Sequence, residues 1–245
     1  MQSKSIQASF RIFPEEDSLY DEMVYVASGE FMMGSDSGEA SGWEKPVHRV
    51  KLDSFYMGQY PVTQALWQQV MGTHPSFFQG SRRPVERVSW DDAQAFIQKL
   101  NERSDRIFRL SREAEWEYAA RGGQLGKGYI YAGSEKLSEV GWYGKNSHLE
   151  TKPVGLKVPN ELGLYDMSGN VWEWCEDLFD ETYYQQCVEQ GIVANPQGPK
   201  KGDQRVMRGG SCYHHPVSCR VSNRLRFEPL HRYGNVGFRL VCLPQ

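Results

Sequence analysis

The sequence contains no apolar run that approaches the length of a membrane span, and its first residues lack the apolar core of a signal peptide. It also lacks a strong charge imbalance: the formal net charge is −3 in 245 residues, which excludes an obvious nucleic-acid or membrane-surface binder. Internal repeats, low-complexity tracts and linkers are missing too. We therefore expect a soluble, cytoplasmic protein with a polar N-terminal extension, residues 1–22, and a single domain, residues 23–245.

The cysteines follow none of the common disulfide or zinc patterns. There are five, at positions 175, 187, 212, 219 and 242, and an odd number in a chain of this length favours free thiols in a reducing compartment. Cys212 and Cys219 enclose His214 and His215, and thiolates with imidazoles are the ligands of redox and copper sites. The alternative is that these cysteines are small packed side chains.

Aromatic residues make up 13% of the sequence, including seven tryptophans, and indicate an ordered globular chain. The first half shows regular periodicity, with strand patterns at 23–35 and 48–60 and helical patterns at 64–71, 90–102 and 112–121. The remaining chain, about 120 residues, shows little periodicity and much glycine, proline and asparagine. We expect buried tryptophans, hydrogen bonds from arginine to carbonyl groups, or a metal ion to hold this irregular half in place.

The C-terminal part is rich in arginine but has no lysine. Between Arg205 and Arg239 there are seven arginines and one acid, Glu228, so this segment carries a local charge of +6. An anion or nucleic-acid site normally mixes lysine with arginine, whereas guanidinium groups suit the carboxylates and unpaired carbonyls inside a fold. The absence of lysine therefore favours a structural role for these arginines.

The stretch GLYDMSGNVWEWCEDLF, residues 163–179, combines acids with glycine and tryptophan. Asp166 and Glu173 supply carboxylate oxygens, and Gly169 and Val171 could add backbone carbonyls, which together form the kind of ligand set that Ca²⁺ prefers. The alternative is a buried turn in which the tryptophans pack in the core and the acids pair with arginine.

Six motifs occur in an order that resembles the formylglycine-generating-enzyme, or sulfatase-modifying-factor, domain family. They are MVYVASGEFMMGS, YPVTQALWQQVMG, RPVERVSWDDAQAFIQKLN, FRLSREAEWEYAARGG, GLYDMSGNVWEW, and RVMRGGS followed by GNVGFRLV, and they span residues 23–243. The resemblance implies an α+β fold, a variant of the C-type lectin fold with little regular secondary structure. It also implies that Asp166, Gly169, Val171 and Glu173 hold a structural calcium ion.

Enzymes of this family use copper and oxygen to oxidise a cysteine of a substrate protein, with two cysteines that follow the serine of the GGS motif. In this chain that serine is Ser211, and the two matching positions hold His214 and Cys219. Cys212 directly follows Ser211 and does not occupy the first position. The incomplete pair argues against an oxidase. The oxidase alternative would use Ser211, Cys212, His214 and Cys219, with copper as its cofactor.

A second branch of the fold matches the C-terminal region better, because residues 208–241 resemble the variable region of target proteins of diversity-generating retroelements. In those systems the adenines of a template repeat are randomised during reverse transcription, while a frame of residues is kept. The frame residues here are Arg208, Gly209, Gly210, Ser211, Pro216, Cys219, Arg220, Arg224, Pro229, Arg232, Gly237, Phe238 and Arg239. The gap residues between them are Tyr213, His214, His215, Val217, Ser218, Leu225, Phe227, Leu230, Tyr233, Gly234 and Asn235.

The gap residues suit a variable recognition surface. Each can be encoded by a codon that ends in C, as randomised asparagine codons require. Tyrosine provides rigid anchors while histidine and serine add adaptable hydrogen bonds, the mix that antibody paratopes use. The resemblance therefore predicts a protein that binds an unknown protein or other macromolecular ligand through the gap residues, with Cys219 as a packed frame residue.

Overall fold

Short strands and helices alternate along residues 22–244, the part of the chain that this computed structural model describes. The predicted N-terminal extension lies outside the described residues, except for Glu22. The strands of the described part are β1 (Met23–Val26), β2 (Gly29–Met33), β3 (His48–Leu52), β4 (Phe55–Gly58), β5 (Phe108–Leu110), β6 (Trp172–Leu178), β7 (Val193–Ala194), β8 (Arg205–Arg208), β9 (Arg224–Phe227), β10 (Val236–Phe238) and β11 (Leu240–Cys242). Its α-helices are α1 (Gln64–Met71), α2 (Trp90–Asn101), α3 (Glu113–Ala120), α4 (Leu137–Val140) and α5 (Tyr183–Gln190).

The strands form three small sheets. In the first sheet, β11 lies between β4 and β5, and β1 pairs with the other edge of β4. In the second sheet, the order is β10, β6, β8 and β9, with β10 parallel to β6 and the other neighbours antiparallel. The third sheet contains β2, β3 and β7. Residues 208–241, called the variable region below after the resemblance described above, include β9 and β10 and the last residue of β8 in the second sheet, and the first two residues of β11 in the first sheet.

The helices predicted at 64–71 and 90–102 are confirmed as α1 and α2, the second ending at Asn101. The Asp92 N–H donates to Ser89 Oγ over 3.1 Å, and the Ser89 N–H donates to the Asp92 carboxylate over 2.9 Å. This reciprocal cap satisfies two donors at the start of α2. Gly72 ends α1 with a φ of 74°, a conformation that glycine adopts without strain. One face of α2 is apolar and buried; it consists of Ala93, Phe96, Ile97 and Leu100.

Three features of the secondary structure differ from the sequence prediction. The stretch 48–60 forms two strands in different sheets, because the Asp53 N–H bonds to Asn195 Oδ1 over 2.9 Å instead of continuing a ladder. Helix α3 begins one residue later than predicted, with Arg112 at its N-cap. Helices α4 and α5 were not predicted, since each short sequence has only two buried residues to mark a face.

Tryptophan side chains lie in both apolar clusters of the core. Trp116 of α3 belongs to one cluster, and Trp172 and Trp174 of β6 belong to the other. All three are at most 2% exposed, and burying an apolar side chain of this size contributes on the order of 3 kcal/mol. The expectation that tryptophans hold the irregular half is therefore confirmed. No helix among residues 22–244 is long and apolar enough to cross a membrane.

Candidate functional site

Burial separates the frame residues from the gap residues. The buried frame residues are Arg208, Gly209, Gly210, Ser211, Cys219, Arg220, Arg224, Gly237, Phe238 and Arg239. The gap residues that face solvent, called the exposed gap residues below, are Tyr213, His215, Val217, Leu230 and Tyr233. Those of intermediate burial are His214, Ser218, Leu225, Phe227 and Gly234. Because solvent-facing side chains can change at little cost in stability, this arrangement lets the gap residues vary above a fixed frame.

Each of the four buried frame arginines forms an ion pair with a glutamate from outside the variable region. The pairs are Arg208 with Glu117, Arg220 with Glu44, Arg224 with Glu113, and Arg239 with Glu173. All these side chains are at most 4% exposed, so neither charge of a pair can be solvated by water if its partner is lost. The pairs attach the frame to the constant part of the chain, and they confirm the structural role predicted for these arginines.

The same guanidinium groups also hold irregular backbone. Arg208 donates to the carbonyls of Val221 and Ser222, each over 2.9 Å. Arg239 donates to the Gly58 carbonyl over 2.8 Å. In a half of the chain with few strand ladders, these bonds supply the hydrogen-bond partners that a sheet would otherwise provide.

The gap residues come from two segments that meet beside Gly234: the first loop, residues 213–218, and β9 with the second loop, which follows it up to residue 235. In the first loop, the Tyr213 ring lies 6.4 Å from the Phe78 ring, measured between centroids. In the second segment, the Phe227 and Tyr233 rings lie 5.4 Å apart. A methyl group built on Gly234 would lie 3.6 Å from the Tyr213 hydroxyl, so the two loops are neighbours. Together they form a surface with aromatic side chains at its centre.

Asn235 is the exception among the gap residues, because it is buried. Its side-chain amide donates to Ser211 Oγ over 2.8 Å, and that oxygen lies 2.6 Å from His214 Nδ1. Its carbonyl accepts a hydrogen bond from the Trp172 N–H over 2.8 Å. Asn235 therefore holds the loop in place and does not belong to the surface that a ligand can reach.

Two residues outside the variable region, Phe77 and Phe78, extend this surface, and a third, Glu86, lies buried behind them; the sequence did not predict any of the three. The Phe77 side chain is 66% exposed, and its ring lies 5.0 Å from the Phe78 ring. Glu86 is buried, and its Oε1 accepts a hydrogen bond from the Phe78 N–H over 2.8 Å. A signal was present in the sequence, because two adjacent phenylalanines interrupt a polar, glycine- and proline-containing stretch, THPSFFQGSRRP.

All five cysteines are buried free thiols. Burial raises the pKa of both Cys212 and Cys219 to about 12, so each remains a neutral thiol near pH 7. Cys219 is also tightly packed: a side chain on Gly210, whose φ is 74°, would place its Cβ 2.6 Å from the Cys219 sulfur. This environment agrees with a packed frame residue.

The four residues of the oxidase alternative do not fit a copper site in this arrangement. Cys212 and Cys219 are fully buried, and His214 Nδ1 already lies in hydrogen-bond contact with Ser211 Oγ. Burial lowers the pKa of His214. Within residues 22–244 no three side chains of His, Cys, Asp or Glu come together as a metal-binding group. An oxidase needs thiolates that both copper and substrate can reach.

The predicted calcium ligands lie on a buried turn that leads into β6; they are Asp166, Gly169, Val171 and Glu173. Glu173 Oε1 accepts a hydrogen bond from Arg239 Nη2 over 2.8 Å, and Glu173 Oε2 accepts one from Trp116 Nε1 over 2.7 Å. Asp166 Oδ2 accepts one from the Gly155 N–H over 2.9 Å. Burial raises the pKa of Asp166 to about 6.

These bonds leave the carboxylates little capacity for a divalent ion. The Arg239 guanidinium already supplies the positive charge beside Glu173 that calcium would provide. This arrangement matches the alternative for the stretch, a buried turn whose acids pair with arginine. The carboxylate oxygens do not fit a calcium ion while Arg239 is hydrogen-bonded to Glu173. The calcium site stays a prediction.

Comparison with known proteins places these features in a family. The family model described as "Sulfatase-modifying factor enzyme 1-like domain" matches residues 9–243. The formylglycine-generating enzyme of Streptomyces coelicolor is 33% identical to this chain over 286 aligned positions, which cover 88% of this chain and 87% of that protein. The resemblance seen in the six motifs is therefore confirmed.

Similar solved structures include two that cover most of this chain. Treponema denticola variable protein 1 superposes with a TM-score of 0.80 at 32% identity, covering 91% of this chain and 95% of that one. PvdO from Pseudomonas aeruginosa superposes with a TM-score of 0.77 at 25% identity, covering 91% and 94%. The fold is the predicted α+β fold with C-type lectin-like architecture. The chain belongs to the family of sulfatase-modifying factor enzyme 1-like domains.

Proposed function

We propose that this chain is a recognition protein that binds a protein or other macromolecular ligand through its gap residues, and that a retroelement diversifies those residues. The observation that carries the proposal is the separation of two sets of residues, a frame that is mostly buried and gap residues that reach the surface, Asn235 excepted. The likeness to Treponema denticola variable protein 1 supports it.

The composition of the surface favours a macromolecular ligand. Among the exposed gap residues, Leu230 is 65% exposed and Tyr213 and Tyr233 are 40% and 44% exposed. Large apolar and aromatic side chains that face solvent together are characteristic of protein interfaces, where tyrosine is enriched. A small-molecule site would instead bury most of its ligand in a cleft.

The DNA that flanks the coding region tests the retroelement part of the proposal. We expect a near copy of the segment that encodes residues 208–241, close to a reverse transcriptase gene. The copy should differ from the coding sequence only where the copy has adenine, and these differences should fall in codons of the gap residues. A copy that differs at buried frame codons, or the lack of any copy, would contradict diversification by a retroelement.

A binding comparison tests the recognition part. The wild-type chain and a variant with all five exposed gap residues changed to serine are used to capture proteins from an extract of the source cells. A matched control carries serine at exposed apolar residues outside the surface, Ile107, Leu125 and Leu156. We expect the control to retain the captured partner and the gap variant to lose it. Loss in both, or in neither, would contradict a binding role for the gap residues.

A second candidate function is the copper-dependent oxidation of a protein cysteine to formylglycine. It is favoured by the 33% identity to the formylglycine-generating enzyme of Streptomyces coelicolor and by Cys219 at one of the two expected positions. A direct test incubates the protein with copper, oxygen and a peptide that contains Cys-x-Pro-x-Arg. The buried thiols lead us to expect no turnover. Turnover that is lost in Cys219→Ser would establish the oxidase instead.

A further inference from the structure

Glu86 is a buried carboxylate with one unpaired oxygen. Its side chain has no solvent exposure, and its Oε1 accepts the hydrogen bond from the Phe78 N–H. Its Oε2 is buried and has no hydrogen-bond partner among the described residues. Burial raises the pKa of Glu86. A buried acceptor without a hydrogen-bond donor lowers the stability of the fold, and such groups are rare in folded proteins. We therefore looked for a donor that could bond to Glu86 Oε2.

The unpaired oxygen lies beneath the place where the two loops of gap residues meet. A methyl group built on Gly234 would lie 3.6 Å from Glu86 Oε2 and 3.6 Å from the Tyr213 hydroxyl. Apart from the residues next to Gly234 in the chain, no other described atom lies within 4 Å of that point. The lack of a side chain at position 234 therefore leaves space between the carboxylate and the tyrosine.

The Tyr213 hydroxyl borders this space. The Tyr213 ring is 40% exposed and makes a T-shaped contact with Phe78, with 6.4 Å between the ring centroids. Phe77, which packs against Phe78, is more exposed still. A buried carboxylate near exposed aromatic residues favours a cation as its partner, because charge-assisted hydrogen bonds are the strong ones and aromatic ring faces also attract positive charge.

The cations near Glu86 do not fill this role. Arg87, its neighbour in the chain, lines a separate cavity of about 400 Å³ together with Asp92 and Arg232. Arg232 is paired with Asp92, its Nε lying 2.6 Å from Asp92 Oδ2. Arg87 interacts with Glu86 electrostatically, which lowers the pKa of Glu86, but no hydrogen bond from a described residue reaches Glu86 Oε2. Within residues 22–244, this oxygen therefore has room for a donor from a binding partner.

We propose that Glu86, the Tyr213 ring and the space beside Gly234 bind a basic side chain, lysine or arginine, of a protein partner. The proposal rests on the proposed function, in which this surface faces the partner. Glu86 and Phe78 lie outside the variable region, so every diversified copy keeps the carboxylate. The residues at positions 213 and 234 then decide whether a basic group can reach it.

Titration of the full-length protein with small cations tests the proposal without any knowledge of the partner. Ethylguanidinium, ethylammonium and the neutral ethylurea are added at constant ionic strength, and the amide signals of Gly234 and Phe78 are followed by NMR. We expect both cations to give saturable shifts and ethylurea to give none. The relative affinities of the two cations show whether the site prefers an arginine-like or a lysine-like group.

Two variants and a control locate the site. Glu86→Gln removes the charge but keeps the shape, and we expect it to weaken cation binding about tenfold or more, as for the loss of one charge-assisted hydrogen bond. Gly234→Val fills the space and should have a similar effect without touching Glu86, which keeps the test valid if the first variant does not fold. The control Glu228→Gln removes an exposed carboxylate from the same region and should bind as the wild type does.

Equal binding by wild type, Glu86→Gln and Gly234→Val would overturn the proposal, and so would equal binding of ethylurea. The lack of any saturable shift would also overturn it and would leave a buried water as the partner of Glu86 Oε2. None of these results bears on diversification of the gap residues, because the DNA comparison and the capture experiment test that separately.

Discussion

Arg224 of β9 and Glu113 of α3 form a buried, bidentate ion pair in which Arg224 Nε and Nη2 donate to the two Glu113 carboxylate oxygens, each over 2.7 Å. The residues lie 111 positions apart, one inside the variable region and one outside it. Their side chains are 1% and 3% exposed, so water neither screens nor replaces the interaction. The pair shows how residues outside the segment 208–241 can fix the backbone of the segment that holds the gap residues.

Replacement of Arg224 by methionine should strongly destabilise the protein. It leaves the buried Glu113 charge with only Arg208 as a cationic partner, 3.5 Å away, which costs about 3 kcal/mol. Arg226, two residues along the same strand, is the matched control, because its partner Glu181 is 57% exposed. Arg226→Met should therefore cost only about 0–1 kcal/mol. Urea unfolding of both variants measures the difference, and equal costs would show that the frame arginines do not anchor the variable region.

The two cysteines of the variable region should resist alkylation in the native protein. Their pKa values of about 12 leave almost no thiolate at pH 8, and both side chains are fully buried. We expect iodoacetamide to label Cys212 and Cys219 only after denaturation. The variant Val217→Cys, at a position 44% exposed, should react at least ~100-fold faster in the same native incubation. Rapid labelling of Cys219 in the native protein would show that its thiol is accessible and reactive, and would favour the oxidase alternative.

Asp177 should make the protein less stable as the pH rises. Burial, and secondly the Glu113 carboxylate, raises the pKa of Asp177 to about 8. In the unfolded chain the group loses its proton near pH 4, so between about pH 4 and pH 8 the folded state binds more protons and stability falls with rising pH.

Asp177→Asn should remove this loss, since the amide oxygen can still accept the Glu113 N–H. From pH 5 to pH 9, its unfolding free energy should gain roughly 2–5 kcal/mol relative to wild type. The control Asp180→Asn should show no such gain, because hydrogen bonds from Thr182 lower the pKa of Asp180 and the group stays ionised throughout that range. Parallel pH profiles of Asp177→Asn and wild type would contradict a raised pKa for Asp177.

The ion pair between Arg239 and Glu173 predicts that calcium does not stabilise the protein. We expect the melting temperature to be the same in EDTA and in excess calcium. Glu173→Gln should still destabilise the protein by about 3–5 kcal/mol, because it leaves the Arg239 charge buried without its partner. If calcium raised the melting temperature and Glu173→Ala abolished this increase, the calcium site would be established. The ion pair between Arg239 and Glu173 would then have to break when calcium binds.

Sequence patterns predicted the local features well, because their causes are local. Thr63 and Ser89 cap α1 and α2 through atoms only three residues away. The burial of the frame arginines also followed from composition, since seven arginines without lysine suit buried pairs better than a phosphate site. The resemblance to a known family supplied the fold of the irregular half, which periodicity did not show.

Features that depend on distant residues were not predictable from the sequence. The residues around Glu173 do not show that Arg239, 66 residues later, donates hydrogen bonds to both of its carboxylate oxygens. The burial of Asn235 depends in the same way on Ser211, 24 residues earlier. The position of Glu86 beneath Gly234 arises from the packing of two loops that are far apart in the chain.

If the buried frame holds the fold, the exposed gap residues can vary freely, and a pair of libraries tests this most directly. One library randomises the five exposed gap residues with codons that end in C, and the other applies the same codons to five buried frame residues, Gly210, Cys219, Arg220, Arg224 and Gly237. Protease resistance of displayed variants measures the folded fraction. We predict that most members of the gap library are folded and that few members of the frame library are. Equal folded fractions in the two libraries would contradict the account.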